Sequence, residues 1–502
     1  MPDRFTAGKR SKSPSPWPLA TGGPYIQRVP KRNLILLVVV GLSCVAAYAA
    51  REQAALGRRF GEVLSIVGSS SLEQVDGDEL FAVAVDAALA RVDEHSAYIR
   101  GDARGDLEAT LNQKFGGVGL ELAIDERSDM PVVTSPVVAS PAWRAGIRVG
   151  DRIEAIDGIS TTGVMLHDVV TRLRGVHGTR VTIRVARPLD PASRTLDPAH
   201  DSDAVGESRD VVLGREVIET ESVVGDRRLE TGRWEWMVEG SPGVCLVRIT
   251  SFGERTATEL LAALDEIGAT AEAHALIVDL RGNPGGLLSS AVEVCDLFLD
   301  DCMIVYTRGR SGTGEEGSAV LEPRRATPGA RLADMPVAVL VDGLTASAAE
   351  IVAACLQDAR RATIVGSRTF GKGTVQTIIP LSDDRGLIKL TTSEYVRPNR
   401  ENIHRRPGNG DGDPWGVMPD DGYEVAPTAE AIVRLTAWRR IREAAGPVPA
   451  WMAVRGLPRE VDEVLRRGLD AVQQASSPRA EPDLGGQKKT SGDDHNALPS
   501  RK

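Results

Sequence analysis

Several things are scarce in this chain of 502 residues. Aromatic residues make up only 4%, and histidine occurs seven times. No G-x-S-x-G occurs, and none of the histidines lies in a recognisable triad segment, which leaves a histidine-based serine hydrolase as a weak alternative. Basic surplus is also missing. The net charge of −10, with no aromatic-rich basic stripe, argues against general affinity for nucleic acid. The five cysteines (Cys44, Cys245, Cys295, Cys302, Cys355) show no CxxC and no paired metal spacing, so no metal and no cofactor is expected. They lie in apolar runs and read as buried thiols. Cys295 and Cys302 are the alternative, a disulfide pair in an oxidising compartment.

Long apolar runs are missing too, apart from Leu34–Ala50. Residues 1–33 ahead of it carry seven Lys/Arg against one Asp. A charge-free run of about 17 residues sits at the short end for a membrane span. The positive charge before it predicts a cytoplasmic N-terminus and an exported body in the cell envelope, periplasmic or extracellular. Ala47-Tyr48-Ala49 also fits a signal cleavage site, so signal cleavage stands beside a retained anchor.

Behind this segment, residues 51–110 read as helical, with Leu80, Val83, Val85, Ala88, Leu89 and Val92 at helical spacing. Residues 111–218 read as strand-rich, with strands at Val118–Ile124, Val132–Thr134, Arg152–Ile156 and Val181–Ala186 and a helix at Leu166–Leu173. An acidic insert fills 188–209. Residues 219–445 then alternate strand and helix, the pattern of βα layers. A helical region at 446–475 and a polar tail at 476–502 complete the chain; the tail is too poor in apolar residues to build a core.

The chemistry concentrates in three short segments. Val337–Val341 reads as a buried strand, Asp342–Thr345 as a turn, and a helix follows. Ser347 therefore sits at the helix start, where free N–H groups and the positive end of the dipole stabilise an oxyanion. A lone serine there reads equally as an ordinary N-cap. Lys372 lies between Gly371 and Gly373. With the ordinary lysine pKa of ~10.4, roughly one side chain in 2,500 is neutral at pH 7, and burial lowers that pKa enough to make a base. Even spacing puts Gln376 on the face of Lys372, where an amide holds the amine without adding charge. The competing reading is a phosphate-binding lysine, but residue 373 is Gly where a phosphate loop has Ser or Thr, and a strand follows. The third segment is Asp279-Leu280-Arg281-Gly282-Asn283-Pro284-Gly285-Gly286. Its last two glycines permit close backbone approach, and one of their N–H groups is a natural second oxyanion donor beside the N–H of Ala348. A simple strand-to-helix turn would use the same glycines.

Taken together, Asp279–Gly286, Thr345–Glu350 and Thr369–Gln376 resemble the carboxy-terminal processing, or tail-specific, serine proteases. The resemblance runs from about Leu80 to Val425. It implies an α+β multidomain fold: a βα-layered ClpP/crotonase-like protease core, an inserted PDZ β-barrel-like domain and an N-terminal helical segment. It implies Ser347 as nucleophile, Lys372 as general base, Gln376 orienting the lysine, and Gly285 or Gly286 with Ala348 as oxyanion hole. Val92–Tyr98 is similar to a further family segment, with Glu94 in place of proline. Gly116, Gly117, Val118, Gly119 and Leu120 look like the PDZ loop, whose N–H groups would take a terminal carboxylate. The expected partners are proteins with apolar C-terminal tails and, through the anchor, the membrane; a homo-oligomer stays open. A non-catalytic PDZ scaffold in the envelope is the reading of a different class. Two departures from the family pattern are the insert 188–209 and the segment Asn409–Trp415. In the latter, Asn409, Asp411 and Asp413 mimic a calcium loop, but Pro414 stands where glycine is needed, so it reads as a solvated turn.

Overall fold

The computed structural model describes residues 39–40, 55–125, 128–188, 205–310, 319–382, 386–444 and 462–476. The chain divides into two units, Met1–Val85 and Asp86–Lys502. The first carries helix α1 (residues 55–70) and most of α2 (Gly77–Leu89). The expected anchor at 34–50 lies outside the described residues except for Val39 and Val40, which are helical. Among the described residues no helix is long and apolar enough to cross a membrane.

The second unit begins with a correction. Residues 51–110 are not helical throughout, because Ala97–Arg100 forms strand β1 ahead of helix α3 (Gly101–Asn112). Its pairing partner lies far along the chain, so helical periodicity nearby could not reveal it. Strand β2 (Lys114–Gly117) follows, and then a sheet domain built from β3 (Leu120–Asp125), β4 (Met130–Pro136), β5 (Arg152–Ile156), β6 (Ile159–Ser160), β7 (Arg180–Pro188) and β8 (Val205–Gly214). The sheet order is β3-β4-β5-β7-β8, with β6 on β5, so β3 is an edge strand. Helices α4 (Pro141–Arg144) and α5 (Leu166–Leu173) accompany this sheet. Val133, Ile147, Ile153, Ile183 and Val169 fill its core, each 2% exposed or less. Most of the acidic insert lies outside the described residues. Next come β9 (Glu216–Glu219), which pairs with β2, then β10 (Val223–Val224) and the short hairpin β11 (Arg227–Arg228) and β12 (Trp234–Glu235).

The layered core follows. Strands β13 (Val244–Ile249), β14 (Ala275–Asp279), β17 (Val337–Val341) and β18 (Thr363–Gly366) run parallel, with β10 antiparallel at the edge. Helices α6 (Thr256–Gly268), α7 (Leu288–Asp296) and α8 (Ala348–Asp358) cover one face, and α10 (Glu463–Ser476) packs on the other. Strands covered on both faces are apolar without alternation, which is why Val337–Val341 is legible as an unbroken run. Each fully buried Val, Leu or Ile contributes about 1.5–3 kcal/mol. Helix α8 is buried on every side from Ala348 to Leu356. Its alanines allow neighbours to approach closely.

Of a second sheet only one strand, the one after Lys372, was among the expected elements. It is antiparallel, in the order β1-β20-β15-β16, with β19 also on β20: β15 (Met303–Arg310), β16 (Ala319–Arg325), β19 (Thr374–Pro380) and β20 (Gly386–Val396). Helix α9 (Ala429–Glu443) has no buried residue and is held instead by ion pairs. Cys245, Cys295 and Cys355 are buried and Cys302 half-buried, all four as free thiols, so the Cys295–Cys302 bridge does not form here.

One buried charge cluster ties these layers together. Asp279, 1% exposed at the end of β14, accepts from the guanidinium of Arg281 at 2.7 and 2.9 Å and from Arg439 of α9. Arg281 in turn pairs with Asp462 at 2.6 and 3.0 Å, and Asp462 caps α10 through Leu465 N–H. Against the upward push of burial, the arginines hold Asp279 well below the usual carboxylate range. Burial pushes Arg439 down to about 10, with the Arg281 charge adding to it. Removing one member of such a cluster costs about 3–5 kcal/mol, because the remaining charge stays buried without its partner.

Candidate active site

Two loops meet at the carboxyl ends of β14 and β17. Thr345 Oγ1 donates to the Leu280 carbonyl at 3.0 Å, Ala346 N–H to the Asn283 carbonyl at 2.9 Å, and Gly282 N–H to Asp342 Oδ1 at 3.0 Å. Asn283 is fully buried and its amide donates to the Ile249 carbonyl at 2.8 Å. Ser347 occupies the N-cap of α8 with φ 57° and ψ −118°. Positive φ is uncommon outside glycine, and a residue held there costs on the order of 1–3 kcal/mol that its surroundings must offset.

Gly285 explains how the loops fit. At φ 97°, a Cβ on it would stand 2.8 Å from Ser347 Cβ and 2.9 Å from Ala348 N. Only a bare Cα can pass Ser347 this closely. The two candidate glycine donors also separate. Gly285 N–H is engaged by Asn283 Oδ1 at 2.8 Å. Among the described hydrogen bonds, Gly286 N–H and Ala348 N–H have no protein acceptor.

The centre of the site is a residue to which sequence reasoning assigned no role. Glu350, fully buried, accepts four hydrogen bonds. Its Oε2 takes Ser347 N–H at 2.8 Å and Lys372 N–H at 2.8 Å. Its Oε1 takes Gly371 N–H at 2.7 Å and Thr369 Oγ1–H at 2.5 Å. One carboxylate oxygen thus joins the backbones of the serine and the lysine. Burial raises its carboxyl pKa, and the Thr369, Gly371, Lys372 and Ser347 donors pull it back. A signal was there to read: Ser347 and Glu350 have the S-x-x-E spacing of a capping box.

Lys372 lies in the turn before β19 and is half-buried. Burial pushes its amine below the ordinary lysine value, and Lys389 adds to this, while Glu350 and Asp93 oppose it. The Lys372 carbonyl accepts from the hydroxyl of buried Tyr395, which lies beside the Ser347 side chain. Burial, and then the Glu350 charge, raise the Tyr395 pKa well above its ordinary value, so that hydroxyl keeps its proton. The Val92–Tyr98 segment also reaches the lysine. Asp93 accepts from the N–H groups of His95 and Ser96, both at 2.7 Å, and Ser96 Oγ accepts from Thr391 N–H at 3.1 Å. Burial and the Lys372 charge lower the His95 pKa.

Gln376 is placed differently from the expectation. Its amide nitrogen donates to Thr374 Oγ1 at 2.9 Å and Thr391 Oγ1 at 3.1 Å. Lys372 precedes the strand, and the register shifts at Val375/Gln376, so even spacing does not carry from residue 372 to 376.

Among the described hydrogen bonds none joins the glycine loop of the sheet domain to Ser347 or Lys372. Gly116 and Gly117 pair with β9, and Val118 is buried. Gly119 at φ 78° packs on the Ser140 side chain. Leu120 opens edge strand β3. A cavity of about 970 Å³ runs beside both regions, lined by none of residues 116–120 and by neither Ser347 nor Lys372. Glu121 and Val138 line it on one side, and Gly282, Gly343, Leu344 and Leu435 on the other.

Comparison with known proteins follows the same division. Peptidase family S41 matches residues 243–421, and a PDZ domain matches residues 132–187. The chain is 34% identical over 348 residues to a carboxy-terminal-processing protease of Bartonella bacilliformis, covering 69% of this chain and 72% of that protein. It is 33% identical to a carboxyl-terminal-processing protease of Synechocystis sp., covering 68% and 70%. Among solved structures, a photosystem II D1 C-terminal processing protease aligns at 24% identity over 73% of this chain and 92% of that one, with a TM-score of 0.38.

Proposed function

We propose, from the premise that this chain belongs to peptidase family S41 and is a serine peptidase of the carboxy-terminal processing kind, that Ser347 and Lys372 form its catalytic dyad. The observation that carries this reading is the Glu350 carboxylate, which holds Ser347 N–H and Lys372 N–H on one oxygen at 2.8 Å each. Neutral Lys372 takes the proton of Ser347 as its Oγ attacks a peptide carbonyl. The oxyanion forms between the N–H groups of Ala348 and Gly286. The protonated lysine then supplies the leaving amine, and water repeats the cycle on the acyl-enzyme. Gln376 acts one step removed, through the threonines on β19 and β20 that it bonds, rather than by holding the amine.

The substrates in this reading are proteins with apolar C-terminal tails. The edge of β3 and the N–H groups of residues 116–120 receive the tail, and the cavity from Glu121 to Leu344 leads it toward Ser347. Within these boundaries residues 111–218 act as the recognition domain and 219–445 as the ClpP/crotonase-like core. An envelope location with a membrane anchor at 34–50 fits the basic arm before it.

A matched pair of peptides tests the tail requirement. They share an apolar C-terminal sequence, one ending in a free carboxylate and the other in an amide. The free acid is expected to be cleaved with a KM lower by about tenfold, the size of one lost charge-assisted recognition site. Equal KM for both would refute carboxylate recognition and leave the dyad standing. A histidine-assisted reading has one observation in its favour, the nearness of His95 to Lys372. It requires His95→Ala to be as inactive as Lys372→Ala.

A further inference from the structure

The segment Asn409–Trp415 departs from the family pattern, and most of it is the exposed turn expected. Asp413 accepts from Gly410 N–H at 2.7 Å and Asn409 Nδ2–H at 3.4 Å, closing the turn on itself. The turn's last residue behaves otherwise. Two guanidinium groups contact the Trp415 ring, Arg368 at 4.3 Å and Arg405 at 4.5 Å from its centroid. Its indole N–H donates to the Gly410 carbonyl at 2.9 Å, which ties the ring to the turn.

The ring's third neighbour is the lysine turn itself. A Cβ on Gly371 would stand 2.9 Å from Trp415 Cε3 and 2.9 Å from Arg405 Cβ. Gly371 has φ 86°, and its carbonyl accepts from Arg405 N–H at 2.8 Å. Directly after the ring, Gly416 and Val417 run along Arg368–Phe370. Val417 N–H donates to Thr369 Oγ1 at 2.7 Å, and that hydroxyl donates to Glu350. Gly371 is therefore gripped from two sides, by the Glu350 carboxylate and by the Trp415 ring with the Arg405 backbone.

We propose that Trp415 is a positioning residue for the lysine base, pressing the Gly371–Lys372 peptide onto Glu350 from the far side of the turn. The proposal rests on the Ser347/Lys372 reading. It gives the departing segment a use: the exposed turn carries a latch whose working end is one ring. The ring touches no reacting atom, so its loss acts on how well Lys372 is placed and how dry its surroundings stay. The charged and titratable groups around that lysine turn are Asp93, His95, Glu350, Lys389, Tyr395 and His404, with Arg368 and Arg405 on the far side against the ring, and Trp415 itself adds no charge to them.

The test is steady-state cleavage of an apolar-tailed peptide by the full chain across pH, with Trp415→Ala, Trp415→Phe and Lys372→Ala in parallel. Trp415→Ala is expected to lower kcat by about tenfold or more, since a small misplacement of a reacting group is costly, while KM stays within about twofold. The pH at which the rate reaches half its maximum is expected to move up, toward that of an ordinary lysine. Trp415→Phe keeps a ring on Gly371 and is expected to stay within about threefold of the parent. Wild-type kcat and an unmoved pH midpoint in Trp415→Ala would overturn the proposal, as would a change confined to KM. If circular dichroism shows that Trp415→Ala does not fold, Trp415→Leu is read by the same two measures. A fully active Lys372→Ala would instead overturn the dyad, so the two failures are distinguishable.

Discussion

Lys372→Ala is expected to lower kcat by about a thousandfold or more, with little change in KM, because dyad members act as a unit and either loss removes most of the chemistry. Lysine at its ordinary value is almost entirely charged at neutral pH and cannot accept the serine proton. Here burial and Lys389 lower that value, which raises the neutral fraction. The sign of the pH dependence follows. The deprotonated amine is the active form, so kcat/KM rises with pH through the folded lysine pKa and levels off above it. That rise should lie below the pH of an ordinary lysine. A rate that falls with pH across the same range would contradict a lysine base. Lys372→Arg, which keeps the charge but cannot lose it, is expected to be as inactive as the alanine variant.

Glu350→Gln is expected to cost about a hundredfold in kcat despite its near-identical shape. The carboxylate faces four donors and no acceptor. An amide offers one accepting oxygen, and its NH2 must then point at N–H or O–H groups that also donate. With the NH2 in place of Oε1, Thr369 Oγ1 can turn to accept and Gly371 N–H alone loses its acceptor; with it in place of Oε2 two N–H donors do, at about 1–3 kcal/mol each. If the NH2 takes the place of Oε2, the lost pair is Ser347 and Lys372, the two residues of the proposed dyad. The helix is buried on all sides, so the strain cannot be relieved by moving α8. Kinetics combined with a thermal melt checks this: a variant that melts a few degrees lower but keeps its kcat would make Glu350 structural only.

Much of the catalytic core was legible because its strands and helices announce themselves locally. Val337–Val341 is apolar throughout, Thr363–Gly366 is β-branched, and the Gly-rich turns fall between them. Apart from the strand after Lys372, the antiparallel sheet was not legible. Strands such as Gly386–Val396 and Met303–Arg310 mix charged, polar and apolar residues, and their pairing is set by partners far along the chain. Which of Gly285 and Gly286 keeps an unengaged N–H is decided by the Asn283 side chain, which takes the first of them. The face shared by Lys372 and Gln376 failed as an inference because periodicity was extended past the end of a strand and over a bulge. Glu350 and Trp415 were overlooked for a common reason. For Glu350 the capping-box spacing with Ser347 was readable, but its bonds to Thr369, Gly371 and Lys372, like the Trp415 ring on the bare Cα of Gly371, join residues distant in sequence, and no spacing rule encodes those.

The central claim is that Lys372 activates Ser347, and covalent capture tests it most directly. Wild type and Lys372→Ala are treated with a fluorophosphonate and followed by intact mass and peptide mapping. The wild-type chain is expected to gain one adduct, on Ser347, at a rate that climbs with pH, while Lys372→Ala stays unlabelled over the same period. An adduct on a different residue, or equal labelling of Ser347 in both proteins, would contradict the dyad.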